Sequence, residues 1–140
     1  MKTSFPAQAN PQWYIVDATD QVLGRLSTKI ANVLRGRHTA SFVPHMMSGN
    51  HVIIINAEKV KVSGSKLEQK KYFRHTGWLG HLRTTTMKEQ MGKDPTKILV
   101  HAIKGMIPKN ASRQHILKKL HVYAGPAHEH DAQKPVPFPL

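Results

Sequence analysis

The chain has 140 residues, with a hydrophobic fraction of 39% and 21 Lys and Arg against eight Asp and Glu, a formal charge of +13. That length fits one domain, residues 1–140, with a modest core, and so large a surplus repels itself unless a polyanionic partner offsets it. The absence of cysteine excludes disulfide frameworks, thiol nucleophiles and Cys-based zinc sites.

Trp13–Asp17 reads as a buried strand. Gly24–Leu34 reads as an amphipathic helix: Leu23, Leu26, Ile30, Val33 and Leu34 share one face, Arg25, Lys29 and Asn32 lie opposite, and Gly36 is placed to stop it. His51–Asn56 is a β-branched run without polar alternation, the pattern of a strand covered on both faces. Val60–Val62 reads as a short strand ending at the turn Ser63–Lys66, which lacks the spacing of a phosphate-binding loop. Lys71–His75 either pairs or merely extends, and Met87–Met91 suggests a short helix. Asp94–Pro95 is an N-cap followed by proline at the first helical position. Beyond it Ile98, Leu99, Ala102, Ile103 and Met106 cluster on one side and Lys97, His101 and Lys104 on the other, so a core face and a basic face share a few turns. Gly105 is expected to end this helix. Ser112 is placed to cap a last helix with Ile116, Leu117 and Leu120 inward and His115, Lys118 and Lys119 outward, and His121–Ala124 reads as a strand or extended segment. In about residues 126–140, Pro126, Pro135, Pro137 and Pro139 argue against regular structure, so a tail lying along a partner or left mobile is expected. Strands alternating with helices give an α/β layered domain with a mainly parallel sheet.

The acids are placed so that three long stretches contain none: 21–57, 69–88 and 95–128 hold four, five and six of the 21 Lys and Arg. A surface that tracks phosphates suits this better than a locally balanced solvated face. Aromatic content is only 6%, which disfavours a single-strand stacking platform and favours recognition of folded RNA by its backbone and shape. Residues 1–13 lack the apolar segment of a signal peptide, and the longest apolar run, Val52–Ile55, is far too short to span a membrane. A soluble, cytoplasmic protein with no membrane partner is therefore expected. Membrane-surface binding is disfavoured too, because the basic residues oppose core faces and do not join them in one lipid-seeking helix.

Ten histidines invite other chemistry. His128 and His130 have chelating spacing but no third ligand nearby in sequence, so no metal is expected, and their alternative role is packing the tail or touching RNA. His75 and His81 bracket Thr76–Gly80, a loop where imidazole and indole are suited to stack on unpaired bases; the alternative is an ordinary turn with Trp78 in the core. Nucleophile elbows, paired carboxylates and zinc-protease helices are absent. A ribonuclease using two histidines is the remaining enzymatic rival, and a free-standing basic RNA-binding protein is the rival binder.

Lys104-Gly-Met-Ile-Pro-Lys109, continuing through Lys118–Gly125 to His128, His130, Ala132-Gln133 and Pro135, forms a recognisable pattern. With it go Trp13-Tyr14, Val16–Ala18, Leu23–Leu26, Leu34–His38, Pro44-His45 with Gly49, Ile55–Ala57, Val62–Gly64 with Lys66, and Lys70 through Arg74-His75 to Gly77 and Gly80. In this order, across about Trp13 to Pro135, these blocks resemble the bacterial L-thirteen family of large ribosomal subunit proteins. The resemblance implies a three-layer α/β/α domain with a four-stranded, mainly parallel sheet and an extended C-terminal tail. It also implies binding and organisation of large-subunit ribosomal RNA early in assembly, in the ribosome, beside neighbouring large-subunit proteins. Catalysis, cofactors and small-molecule substrates do not come with it. Arg35, Lys66, Lys70, Arg74, His75, Lys104, Lys109, Lys119, His128 and His130 sit at motif positions, and Arg37, His38, Lys71, Arg113 and Lys118 complete the candidate RNA-binding set. The chain departs from the family pattern at Met47 and Asn50, where acids are usual, at His81 in place of glycine, at Gln114 where arginine is common, and at Glu129 between the tail histidines.

Overall fold

The computed structural model describes residues 10–139; residues 1–9, most of the segment read above for a signal peptide, and Leu140 at the end of the proposed domain lie outside the described residues. In chain order the elements are β1 (Trp13–Asp17), α1 (Leu23–Arg35), β2 (His51–Ile55), α2 (Lys66–Gln69), β3 (Lys71–His75), β4 (Leu82–Thr86), α3 (Met87–Lys93), α4 (Pro95–Met106), α5 (Ser112–Leu117), β5 (Leu120–Val122) and β6 (Val136–Pro137). Short 3-10 turns occupy Ala57–Lys59 and Asp131–Gln133. Four strands pair in the order β5-β2-β1-β6, all parallel, while β3 and β4 form a separate antiparallel hairpin. The mainly parallel four-stranded sheet flanked by other layers is the expected α/β/α architecture.

The central strand explains the layering. Val52, Ile53 and Ile54 are all buried although they alternate between faces, so both faces need cover. Register aligns Tyr14 with Val52 and Val16 with Ile54, and Val52 and Ile54 with Leu120 and Val122. That face packs against Leu26, Ile30, Val33 and Leu34 of α1, Leu99 and Ile103 of α4 and Ile116 of α5. On the other face Trp13 lies beside His51, and Ile15, Ile53 and His121 are in line. The C-terminal segment covers this side, with the His130 ring 5.1 Å from Trp13 and 4.4 Å from His121.

Local signals fix the helix ends. Gly36 adopts φ 78° and its N–H bonds to the carbonyls of Asn32 and Val33, closing α1. A Cβ there would also fall 2.5 Å from Ser48 Cβ, whose hydroxyl donates to the Leu34 carbonyl at 3.0 Å, so both backbone hand and space require glycine. Thr86 and Glu89 form a capping box on α3. The Asp94 carboxylate accepts the Thr96 N–H at 3.1 Å and starts α4 with Pro95 behind it.

Elsewhere the structure differs from the pattern. Helix α4 runs through Gly105 to Met106, because Ile107 is buried and its N–H still bonds to Ile103. Ser112 is the first helical residue of α5, with Ala111 at the cap position. Of Val60–Val62, only Lys61 makes a bridge, to Val22. The proline-rich tail does form structure: Val136 and Pro137 pair with Tyr14 and Ile15, and the Phe138 N–H donates to Ile15 at 3.0 Å. Pro135, Pro137 and Pro139 alternate with the two donors and fall where an edge strand needs no N–H. Phe138 then meets Tyr14 edge-on at 5.4 Å. The tail therefore closes its own sheet.

Candidate nucleic-acid interface

The candidate residues separate into two exposed basic patches and an inward group. Near the start of α1, Lys61, Lys66, Lys70 and His101 rim a cleft of about 400 Å³ floored by Met87 and Met106. Its geometry comes from packing: Tyr72 of β3 meets the His101 ring edge-on at 5.2 Å, the Lys70 ammonium lies 5.8 Å from the Tyr72 ring, and the Lys70 carbonyl accepts the Met87 N–H at 2.9 Å. The first turn of α1 beside it has neither an acid nor a side-chain cap, so the positive end of that helix adds to the field. Lys104 is exposed on α4 three residues beyond His101, and Lys71, Arg74 and His75 are exposed along β3.

The second patch surrounds the end of α1. The Arg35 and Arg37 guanidiniums lie 6.0 and 5.9 Å from the Phe42 ring, and His38 meets Tyr14 and Phe138 edge-on. Arg35, Phe42 and His45 share a shallow depression with Pro108 and Asn110, the residues on either side of exposed Lys109. At 1.5 Å per residue, the 13 residues of α1 set the patches roughly 20 Å apart.

Four candidates turn inward. The Arg113 guanidinium donates to the Ile107 carbonyl at 3.1 Å and packs the chain leaving α4. Lys119 is half-buried, and burial lowers its pKa. The His128 side chain is 12% exposed, with Nδ1 3.4 Å from the Asp131 carboxylate. His130 packs among Trp13, His121 and Tyr123. For the two tail histidines the alternative of packing the tail is the one seen. No group of three His, Asp or Glu among the described residues is arranged to hold a metal ion. Asn50 is likewise internal: its side-chain oxygen accepts the Gln12 N–H at 3.2 Å and joins β1 to the approach of β2.

Histidines pack against one another under the tail. Trp13 stacks on His51 at 4.1 Å, and His51 Nδ1 lies 3.5 Å from His121 Nε2. Burial, then the charges of Lys119 and His130, holds the His51 pKa below 6.5; burial, then His130 and His51, does the same for His121. The stability of this neutral packing is complete above about pH 6.5, where the unfolded chain is also neutral, and is lost as pH falls, because the unfolded imidazoles protonate first. Asp17 and Asp94, held below 3.8 by hydrogen bonds from Thr19 and Thr96, lose their contribution only nearer that value. Thermal midpoints should therefore fall between about pH 6.5 and about pH 4.5, and His121→Phe should flatten the decline. An unchanged midpoint across that window contradicts the packing described.

Most exposed cations among the described residues are not neutralised from within. Among the described residues, Lys61 with Asp20 at 3.8 Å and Lys97 with Asp94 at 3.0 Å are the only Lys or Arg paired with a carboxylate. Arg37, Lys66, Lys70, Lys71, Arg74, Lys104, Lys109 and Lys118 all face outward. Lys61, which sits beside Asp20, and His101, which the sequence already places on the basic face of α4, both lie outside the expected RNA-binding set. No helix among the described residues is long and apolar enough to cross a membrane.

A family model described as ribosomal protein L13 matches residues 11–129. The large ribosomal subunit protein uL13 of Desulfovibrio desulfuricans is 50% identical over 135 residues, covering 96% of this chain and 94% of that protein. The protein of the same name from Streptomyces griseus is 53% identical over 135 residues, covering 96% and 92%. That from Lachnoclostridium phytofermentans is 50% identical over 130 residues, covering 93% and 90%. Relatives this similar along nearly their full lengths, together with the family match, establish that the chain belongs to the ribosomal protein L13 family.

Proposed function

We propose that this chain is a structural constituent of the large ribosomal subunit, acting as one domain over residues 1–140 in the cytoplasm. It binds and organises large-subunit ribosomal RNA early in assembly, beside neighbouring large-subunit proteins. The observation that carries this reading is the pair of basic patches at opposite ends of α1, in which, among the described residues, Lys61 alone has a carboxylate partner, Asp20. Fixed cations spread over roughly 20 Å are suited to bridge phosphates from more than one RNA segment, and rigid packing keeps their spacing constant. Arg35, Arg37, His38, Lys66, Lys70, Lys71, Arg74, His75, Lys104, Lys109 and Lys118 are the contacting residues. Arg113, Lys119, His128 and His130 support the reading as residues that hold the basic segments and the tail in place.

The histidines favour structure over catalysis. In an imidazole-based ribonuclease the phosphodiester lies between an acid and a base, whereas His51 and His121 are stacked in direct contact with no room between them. Sedimentation of a cell extract tests the proposal: the chain should migrate with large-subunit particles, stay with them through a moderate salt wash, and leave labelled RNA uncut when purified. Migration near the top of the gradient would instead identify a free-standing RNA-binding protein, and cleavage would identify an enzyme.

A further inference from the structure

The β3–β4 hairpin has two faces and a tip of different chemistry. On one face Tyr72 anchors the base of the hairpin against His101, and Arg74 lies directly across from Arg83. Like charges placed opposite each other on paired strands are destabilising, and neither guanidinium has a carboxylate partner among the described residues. An anion between them relieves that repulsion.

The other face carries Phe73 and Leu82 among Lys71, His75 and Thr84, and the tip carries Trp78 and Leu79. Phe73 is 65% exposed and Leu82 57%, while at the tip Trp78 is 76% exposed and Leu79 98%. Four of the seven large hydrophobic side chains exposed among the described residues thus fall between positions 73 and 82. The tip is organised by its own bonds. The His75 ring accepts the Gly77 N–H at 3.0 Å, the His81 N–H donates to the Trp78 carbonyl at 3.2 Å, and Gly77 and Gly80 take φ of 99° and 74°. These contacts hold the turn closed and leave the indole pointing away from the core.

Exposed large apolar side chains clustered in this way mark a contact site, and charge decides the partner. Residues 69–88 contain five Lys and Arg and no acid, so the complementary surface is polyanionic and also offers a flat apolar group. An unpaired base next to its own phosphate has both properties. We propose that the hairpin is an arm that reads a bulge or junction of folded RNA, with Trp78 stacking on an unpaired base and Arg74 and Arg83 gripping the adjacent phosphate. The inference rests on the reading of the chain as an rRNA binder and adds a preference that phosphate tracking alone does not supply.

The test uses the full chain and two synthetic RNA stems of equal length, one fully paired and one with a single unpaired adenine. The other indole, Trp13, is half-buried and stacked on His51, so quenching of an exposed indole reports Trp78. The bulged stem should quench that emission and bind about tenfold more tightly than the paired one. Trp78→Ala should abolish the preference while leaving affinity for the paired stem within about twofold, and Trp78→Phe should restore most of it. Equal binding of the two stems by the unaltered chain, or a preference that survives Trp78→Ala, overturns the inference while salt-sensitive binding of both stems keeps the rRNA reading intact. Failure to bind either stem at any ionic strength would remove that reading as well.

Discussion

Reversing Lys104 and Lys109 together to glutamate should weaken binding to large-subunit rRNA on the order of a hundredfold at moderate salt, with no loss of fold. The two lysines sample different patches, Lys104 beside the His101 cleft and Lys109 beside Arg35. A phosphate contact contributes a slope of about 0.9 to the dependence of log affinity on log salt. Each lost contact then costs about fivefold near physiological ionic strength, and an introduced carboxylate adds repulsion. Sites this far apart are expected to act additively, so each single reversal should cost about tenfold and flatten the salt dependence by about one unit. For the unaltered chain, neutralising about 6–10 phosphates makes affinity fall by about 10³–10⁵ between low and moderate salt. Stability should not fall, since both side chains are exposed and have no carboxylate partner among the described residues, and their reversal lowers the positive surplus that strains the domain. Titrations over a range of salt, with a thermal melt of each variant, check all of this. Normal rRNA binding by both single variants would remove these patches from the interface.

What could be read from the residues depended on how local each signal was. Helix α1, strand β2 and the start of α4 carry their own evidence in periodicity, β-branching and an Asp-Pro cap, and they lie where expected. Strand β6 carries none. It is two residues long, it pairs with a strand more than a hundred positions earlier, and its prolines suggest the opposite of a strand until edge placement supplies the reason. Strand β4 was hidden as well, because Leu82–Thr86 has one apolar residue and no alternation, and its exposed faces leave no burial pattern to detect. The site was legible as a set of cations but not as a geometry. Composition distinguishes Lys from Glu, yet cannot say that Arg113 turns back to the Ile107 carbonyl or that His130 packs beneath the tail. Those roles depend on a tail fold that exists only once the distant sheet is assembled. Trp78 shows the converse. A large aromatic between glycines fits a buried turn as well as an exposed one, and only the three-dimensional direction of the hairpin decides.

Replacing Ile103 with alanine should have the opposite signature from the lysine reversals. Ile103 is 0% exposed and sits in the main core of α1, α4 and the sheet. Removing its buried methyl and methylene groups costs transfer energy and leaves a cavity, about 2–5 kcal/mol together. For a domain of this size that lowers Tm by about 5–15 °C, a large share of a typical total of about 5–15 kcal/mol. RNA affinity measured well below the lowered Tm should stay within about twofold of the unaltered chain, since His101 and Lys104 on the outer side of α4 keep their places as long as the helix is folded. Added rRNA should raise the variant's Tm again, because a ligand that binds only the native state stabilises it in proportion to its saturation. Melting curves with and without rRNA, and binding in the cold, distinguish the two kinds of lesion. If Ile103→Ala binds as poorly as Lys104→Glu while fully folded, the outer face of α4 is not held by a rigid core, and a preset spacing of cations no longer explains recognition.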